Sequence, residues 1–185
     1  MIKYPNNINP KHNFKQYGNR GMNLEHEINE SNKYYLDNNI AVIYKKPTPV
    51  KVLKRVNEKI IKAYFEKPST TDYNGLYNGK YIDFEAKETK KSTSFPLDNI
   101  HHHQIEHIRN VIKHHGISFL IVRFTKLNET YLLFGTDFID FIDNNKRKSI
   151  PHEYFEKKGY LIKDKLMPAI DYLEIINKYG GILWK

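Results

Sequence analysis

The residues best placed to do chemistry lie between Thr70 and Lys90, in TTDYNGLYNGKYIDFEAKETK. Two runs there read as a hairpin. The first strand is Thr70 to Tyr73, with Asn74-Gly75 as a turn or kink, and a second turn at Asn78-Gly79 leads into Lys80 to Glu88. Side chains alternate along a strand, so Ile82, Phe84 and Ala86 point toward a core while Tyr81, Asp83, Glu85 and Lys87 point the other way. With Asp72 on the preceding strand, Glu85 and Lys87 make a compact acidic site holding one cation. Carboxylate oxygens suit Mg²⁺, which wants oxygen ligands in near-octahedral array together with water and substrate phosphate. A lysine beside such an ion can orient the attacking water or balance charge on a pentavalent phosphate. This is phosphodiester-hydrolysis chemistry. Alternating charges are also the ordinary dress of a solvated sheet face, where a Glu–Lys pair is worth under ~1 kcal/mol.

Context decides between the two. PSTTDYNG, GKYIDFEAKET and SFPL occur in order, accompanied by NRGMNLE, INESNKYYL, AVIYKKPTP and HQIEH. Together these blocks resemble the RecU family of bacterial Holliday-junction resolvases, which carry a nuclease core of the PD-(D/E)xK kind. The likeness runs from about Asn19 to Phe124, is strongest from Lys45 to Gln104, and weakens beyond. It implies a restriction-endonuclease-like α/β fold, a mixed central sheet flanked by helices, with a projecting basic stalk. It implies an Mg²⁺-dependent endonuclease (Mn²⁺ substituting) that resolves Holliday junctions by paired nicks in strands of like polarity, in homologous recombination and DNA repair. By the same resemblance Thr70 and Gln104 join Asp72 and Glu85 around the ion, Lys87 stabilises the attacked phosphate, and Glu25 in RGMNLE is the acidic residue offered by the first helix. A homodimer is implied too, and a two-fold symmetric junction suits a two-fold symmetric protein. A recombinase is a further possible partner.

Charge points the same way. The 185 residues carry 30 Lys+Arg against 21 Asp+Glu, a formal net charge of +9. Such an excess suits a polyanion, either nucleic acid or an anionic membrane. No apolar run approaches ~20 residues and MIKYPNNINPKHNF has no apolar core, so neither a membrane span nor an export signal is expected. Without cysteine there is no disulfide framework, thiolate zinc site or cysteine nucleophile. A cytoplasmic location is consistent with all of this. The abundant Lys, Asn, Ile and Tyr also look like the bias of an AT-rich genome, which would account for part of the charge.

The length suits one domain: a basic arm over 1–20, then a nuclease domain over 21–185. The arm holds Lys3, Lys11, Lys15 and Arg20 and no acid, and could lie along a phosphate backbone or simply be inert. Asn23 to Asn38 has helical spacing, with Glu25, Glu27 and Glu30 where the dipole favours anions. Ile40 to Tyr44 reads as a short strand stopped by KKPTP. Val50 to Lys67 carries Lys51, Lys54, Arg55, Lys59, Lys62 and Lys67 against Glu58 and Glu66, six minus two, a local +4. Neither period is clean there: Val50, Val52 and Val56 suggest a strand, Ile60, Ala63 and Tyr64 a helical turn. By resemblance this interval is the stalk that enters the centre of the junction, here shorter than the family leads one to expect; otherwise it is an ordinary solvated hairpin.

Further on, Asp98 or Asn99 can cap a helix from Ile100 to Gly116 with Ile105, Ile108 and Ile112 as its buried stripe and Gln104 bordering it. Its histidines include His103 and His107 at i, i+4, a spacing a metal can bridge, but no third ligand is evident and contact with phosphate is the simpler account. Ile117 to Phe124 reads as a central strand buried on both faces, followed by a strand at Thr130 to Phe134. A Thr136-capped helix over Asp137 to Asp143 comes next, then a short strand at Tyr160 to Ile162, and an amphipathic helix over Asp171 to Tyr179 ended by Gly180-Gly181. Two other functions remain open: a non-catalytic DNA- or RNA-binding accessory protein, and a repair or restriction-type endonuclease acting on plain duplex with the same core.

Overall fold

The computed structural model describes residues 23–65 and 70–179. The arm with Arg20, the end of the basic interval at 66–67 and Gly180-Gly181 lie outside the described residues. In chain order the elements are α1 (Leu24–Asp37), β1 (Val42–Lys45), β2 (Val50–Val56), β3 (Lys59–Phe65), β4 (Tyr73–Tyr77), β5 (Lys80–Thr89) and β6 (Ser94–Pro96). After a 3₁₀ turn (Leu97–Asn99) come α2 (His102–Lys113), β7 (Ile117–Phe124), β8 (Glu129–Phe134), α3 (Gly135–Asn144), β9 (Ser149–Pro151), α4 (His152–Lys158), β10 (Tyr160–Leu161) and α5 (Tyr172–Tyr179).

Six strands form a mixed sheet in the order β1-β4-β5-β7-β8-β10. Its one parallel pairing joins β5 to β7, and α2 supplies the crossover such a pairing needs. Each face of the sheet is covered by helices over its own core. On one side Phe84 stacks between Tyr73 and Phe119 at 4.7 Å from each, with Tyr172 of α5 at 5.0 Å, and Leu24 and Ile28 of α1 close over them. On the other, Ile108 of α2, Phe138 of α3 and Phe155 of α4 pack on Leu120, Val122, Phe124 and Leu133. This is the mixed α/β sheet flanked by helices that the sequence led one to expect.

Local chemistry sets the details. Asn23 caps α1 by accepting from the Glu25 amide at 3.0 Å. The β4–β5 hairpin turns at Asn78-Gly79, both with positive φ (48° and 73°), as a two-residue turn between right-twisted strands demands. Asn74-Gly75 is no turn; it lies inside β4. A Cβ on Gly75 would sit 2.1 Å from the Val42 carbonyl oxygen and 2.6 Å from the Ile43 Cα, so the glycine serves the close approach of β1 to β4. The cap of α2 is neither Asp98 nor Asn99 but His101, whose backbone N–H donates to Gln104 Oε1 at 2.9 Å. Nor does Thr136 cap α3, whose N-cap position is Phe134.

The basic interval is a hairpin standing apart from the sheet. β2 and β3 pair only with each other among the described residues, and Asn57 and Glu58 make its turn with φ of 44° and 62°. Almost every side chain along it is exposed. The helical spacing of Ile60, Ala63 and Tyr64 has no structural counterpart, because in an isolated ribbon no buried face enforces a period.

Candidate active site

β5 is the spine of the site. Its Ile82, Phe84 and Ala86 enter the α1/α5 core, so Asp83, Glu85 and Lys87 face the opposite side, where α2 lies. The expected alternation therefore holds, but the acidic face is not a solvated one. Asp83 and Glu85 are completely buried, and both Asp72 and Lys87 keep 29% of the side chain exposed, at the mouth.

The segment before β4 brings Asp72 to Glu85. The Asp72 amide donates to Glu85 Oε2 at 3.0 Å. Lys87 Nζ ion-pairs with Glu85 Oε1 and lies 3.6 Å from Asp72 Oδ2. Burial drives the Glu85 pKa up to about 7; Lys87 opposes the rise and Asp72 adds to it. Burial alone would lower the Lys87 pKa, but the Glu85 and Asp72 carboxylates outweigh it and hold the ammonium charged. The result is two carboxylates sharing one cation, one carboxylate poised near neutrality.

The donor set suits a hard divalent cation. No directed hydrogen bond reaches buried Glu85 Oε1, its neighbour being the Lys87 ammonium. The Asp72 and Glu85 carboxylates, bridged by Lys87, offer oxygen donors, as Mg²⁺ prefers. Among the described residues no three His, Cys, Asp or Glu side chains converge into a metal cluster; a cation here would need neutral oxygens and water to complete its shell. Thr70 precedes the pinned segment, its hydroxyl donating weakly to the Thr71 carbonyl at 3.4 Å. Gln104 is buried in the first turn of α2, and its Oε1 already accepts from His101, leaving one lone pair. Glu25 pairs with Lys45, while its carbonyl accepts from the Tyr73 hydroxyl at 3.4 Å. Burial raises the Tyr73 pKa, and Glu25, Asp72 and Glu85 add to the rise. Lys51, Lys54, Arg55, Lys59 and Lys62 are all exposed on the β2–β3 hairpin.

Sequence reasoning missed a second buried cluster beside this one. Asp83 Oδ2 accepts from Lys46 Nζ at 2.7 Å and from the Tyr81 hydroxyl at 2.8 Å, with His107 Nε2 at 3.1 Å. Its Oδ1 accepts from the Thr71 hydroxyl. His107 Nε2 is thus engaged by the Asp83 carboxylate. An aspartate on the same strand face as Glu85 was the available signal; the partners came from elements whose packing the sequence does not spell out.

The family model described as Recombination protein U matches residues 19–178. A protein of Bacillus cytotoxicus named Holliday junction resolvase RecU is 53% identical over 169 residues, covering 87% of this chain and 84% of its own. One of the same name from Streptococcus gordonii is 46% identical over 191 residues, 96% of each chain. Among solved structures, Archaeoglobus fulgidus Hjc, described as a Holliday junction resolvase, aligns with a TM-score of 0.39 at 9% identity over 70% of this chain and 91% of that one, a likeness too loose to bear on the fold. With half its residues shared with such relatives across nearly its whole length, the chain belongs to the Recombination protein U family.

Proposed function

We propose that the protein is a structure-selective endodeoxyribonuclease that resolves four-way DNA junctions by phosphodiester hydrolysis, with a divalent cation, Mg²⁺ or Mn²⁺, as cofactor. One observation carries this: Lys87 held between Asp72 and Glu85 at the mouth of an otherwise buried acidic site, in a chain about half identical to proteins named Holliday junction resolvase. Asp72 and Glu85 would hold the ion, with Thr70 and Gln104 completing the protein's share of oxygens. A bound ion would supply Lewis acidity at the phosphate and a more acidic water.

The chain's own residues do the rest. Burial of Glu85 makes the site a poor place for two negative charges and therefore a good one for a cation. Lys87, partly exposed and kept charged, reaches the mouth where a phosphate must arrive, and offers its charge to the oxygens that grow more negative in the transition state. The hydrogen bond from the Asp72 amide to Glu85 Oε2 holds the Glu85 carboxylate against the Asp72 segment before substrate binds, so less reorganisation remains.

Selectivity for the branch is assigned to the β2–β3 hairpin. Five basic residues against Glu58 project from the sheet, able to enter the open centre of a junction where backbones converge. Val50, Leu53, Val56, Ile60, Ile61, Tyr64 and Phe65 are exposed on it, and a lone two-stranded ribbon is marginal in water. That supports a homodimer, or DNA, as what steadies it. Two sites related by a two-fold axis would place paired nicks symmetrically. The arm over 1–20 with Arg20, and a recombinase partner, belong to the same proposal. No helix of the described residues is long and apolar enough to cross a membrane, and a site in the cytoplasm, where the chromosome is, suits the activity.

The test is cleavage of a synthetic four-way junction against a linear duplex of the same sequence, with and without Mg²⁺. Paired incision of the junction at far lower protein concentration than duplex is expected. Equal cutting of both would favour a duplex endonuclease, and binding without incision an accessory protein.

A further inference from the structure

The Asp83 cluster touches every element that carries a candidate ligand. Thr71, immediately before Asp72, donates its hydroxyl to Asp83 Oδ1. Glu85 stands two residues further along β5, about 7 Å on the same face. His107, whose ring lies 3.1 Å from Asp83 Oδ2, is one turn beyond Gln104 on α2. Lys46 closes the circuit: its ammonium donates to both Asp83 and Thr71 (2.7 and 3.1 Å), and its backbone amide donates to the Asp72 carbonyl at 2.7 Å. One fully buried carboxylate accepts from four side chains on four separate stretches of chain.

A buried carboxylate is a costly way to hold a fold together. Apolar packing of equal volume would usually do as well or better, and such groups are retained where they fix one arrangement against its neighbours. Outer partners that orient ligand-bearing segments typically change metal affinity by about 10–100-fold when lost. We propose that Asp83 is a positioning residue that sets the Asp72 segment, β5 and α2 in register, so that the cation site is formed before DNA arrives. This rests on the nuclease function proposed above.

The experiment titrates Mg²⁺ into the full DNA-free chain by calorimetry, for wild type and Asp83→Asn. Asparagine keeps the shape but has a single acceptor oxygen and no charge, so it cannot serve four donors. The expected result is a tenfold or greater weakening of Mg²⁺ binding by Asp83→Asn in a protein that is folded by circular dichroism. Junction affinity measured in EDTA should stay within about twofold, because phosphate grip is shared among many basic residues. Cleavage should recover as Mg²⁺ is raised. Should Asp83→Asn fail to fold, the Thr71 pair decides: Thr71→Val loses the donor and should weaken Mg²⁺ binding, while Thr71→Ser restores it. A folded Asp83→Asn, or failing that Thr71→Val, that binds Mg²⁺ as wild type does while wild type cuts junctions overturns the positioning role alone. Wild type that takes up no Mg²⁺ and cuts nothing overturns the nuclease function, and this inference with it.

Discussion

The backbone amide of Asp72 and the carboxylate of Glu85 are joined by a 3.0 Å hydrogen bond, so the main chain of the Asp72 segment holds the Glu85 carboxylate in addition to the Lys87 ion pairs. Asp72→Asn leaves that bond untouched, and Glu85→Gln can still accept it through its amide oxygen. Both variants should fold, with melting temperatures close to wild type at pH 5, where Glu85 is protonated. Each removes one of two anionic oxygens donors from the site, so Mg²⁺ uptake should weaken at least tenfold and cleavage should largely disappear. Calorimetric titration of the two proteins checks this, and wild-type uptake by either would misplace the site.

Lys87 pairs with Glu85 and Asp72 and, among the described residues, makes no ion pair that joins separate helices of the fold. Lys87→Ala should therefore bind junction DNA nearly as well as wild type and cut it roughly a hundredfold more slowly, the usual cost of about 3 kcal/mol for losing one transition-state contact. Single-turnover cleavage at saturating protein separates the two effects. Cutting at the wild-type rate would remove Lys87 from the mechanism.

Glu85 also gives the metal-free protein a pH dependence of definite sign. Its folded pKa of about 7 lies above the ordinary carboxyl value, so between about pH 4.5 and 7 the folded state retains a proton that the unfolded chain has released. Stability must then fall as pH rises through that window, by ~3 kcal/mol at most. Urea unfolding in EDTA at pH 5 and pH 8 measures it. Glu85→Gln, which cannot ionise, should lose that part of the slope; parallel behaviour of the two proteins would mean that Glu85 does not titrate there.

How far these residues were legible beforehand depended on whether local pattern or packing places them. Alternation along β5 was enough to separate Phe84 from Glu85, because period 2 follows from strand geometry alone. The burial of Asp83 and Glu85 was not, since it comes from α2 lying over the sheet and nothing in DFEAK records that. Gly75 misled for a related reason: a glycine after an asparagine signals a turn and a close backbone approach equally well, and only the position of β1 tells them apart. The SIP strand β9 and the seven-residue α4 are too short to show any period, and their place is fixed by pairing with β6 and packing on Phe124.

What should separate a junction resolvase from a plain nuclease is the β2–β3 hairpin. A metal site reads a phosphate, and phosphates are alike in duplex and junction, so selectivity must come from an element that recognises the shape of the branch. Lys51 and Tyr64 are register partners near the base of the ribbon, about 5 Å apart as paired residues are, so a short Gly-Ser turn can replace residues 51–64 without pulling on β1 or β4. The replacement removes Lys51, Lys54, Arg55, Lys59 and Lys62 along with Glu58, a net loss of four positive charges. Mg²⁺ binding should survive, because among the described residues Asp72, Glu85 and the Asp83 cluster make none of their hydrogen bonds to the ribbon. Junction binding should weaken with a shallower salt dependence, each lost phosphate contact lowering the slope by roughly 0.9, and the preference for junction over duplex should disappear together with paired incision. The measurement is the ratio of junction to duplex cleavage at matched salt, on protein shown to be folded by melting. A shortened protein that keeps the wild-type ratio would transfer selectivity from the ribbon to the spacing of two active sites in a dimer.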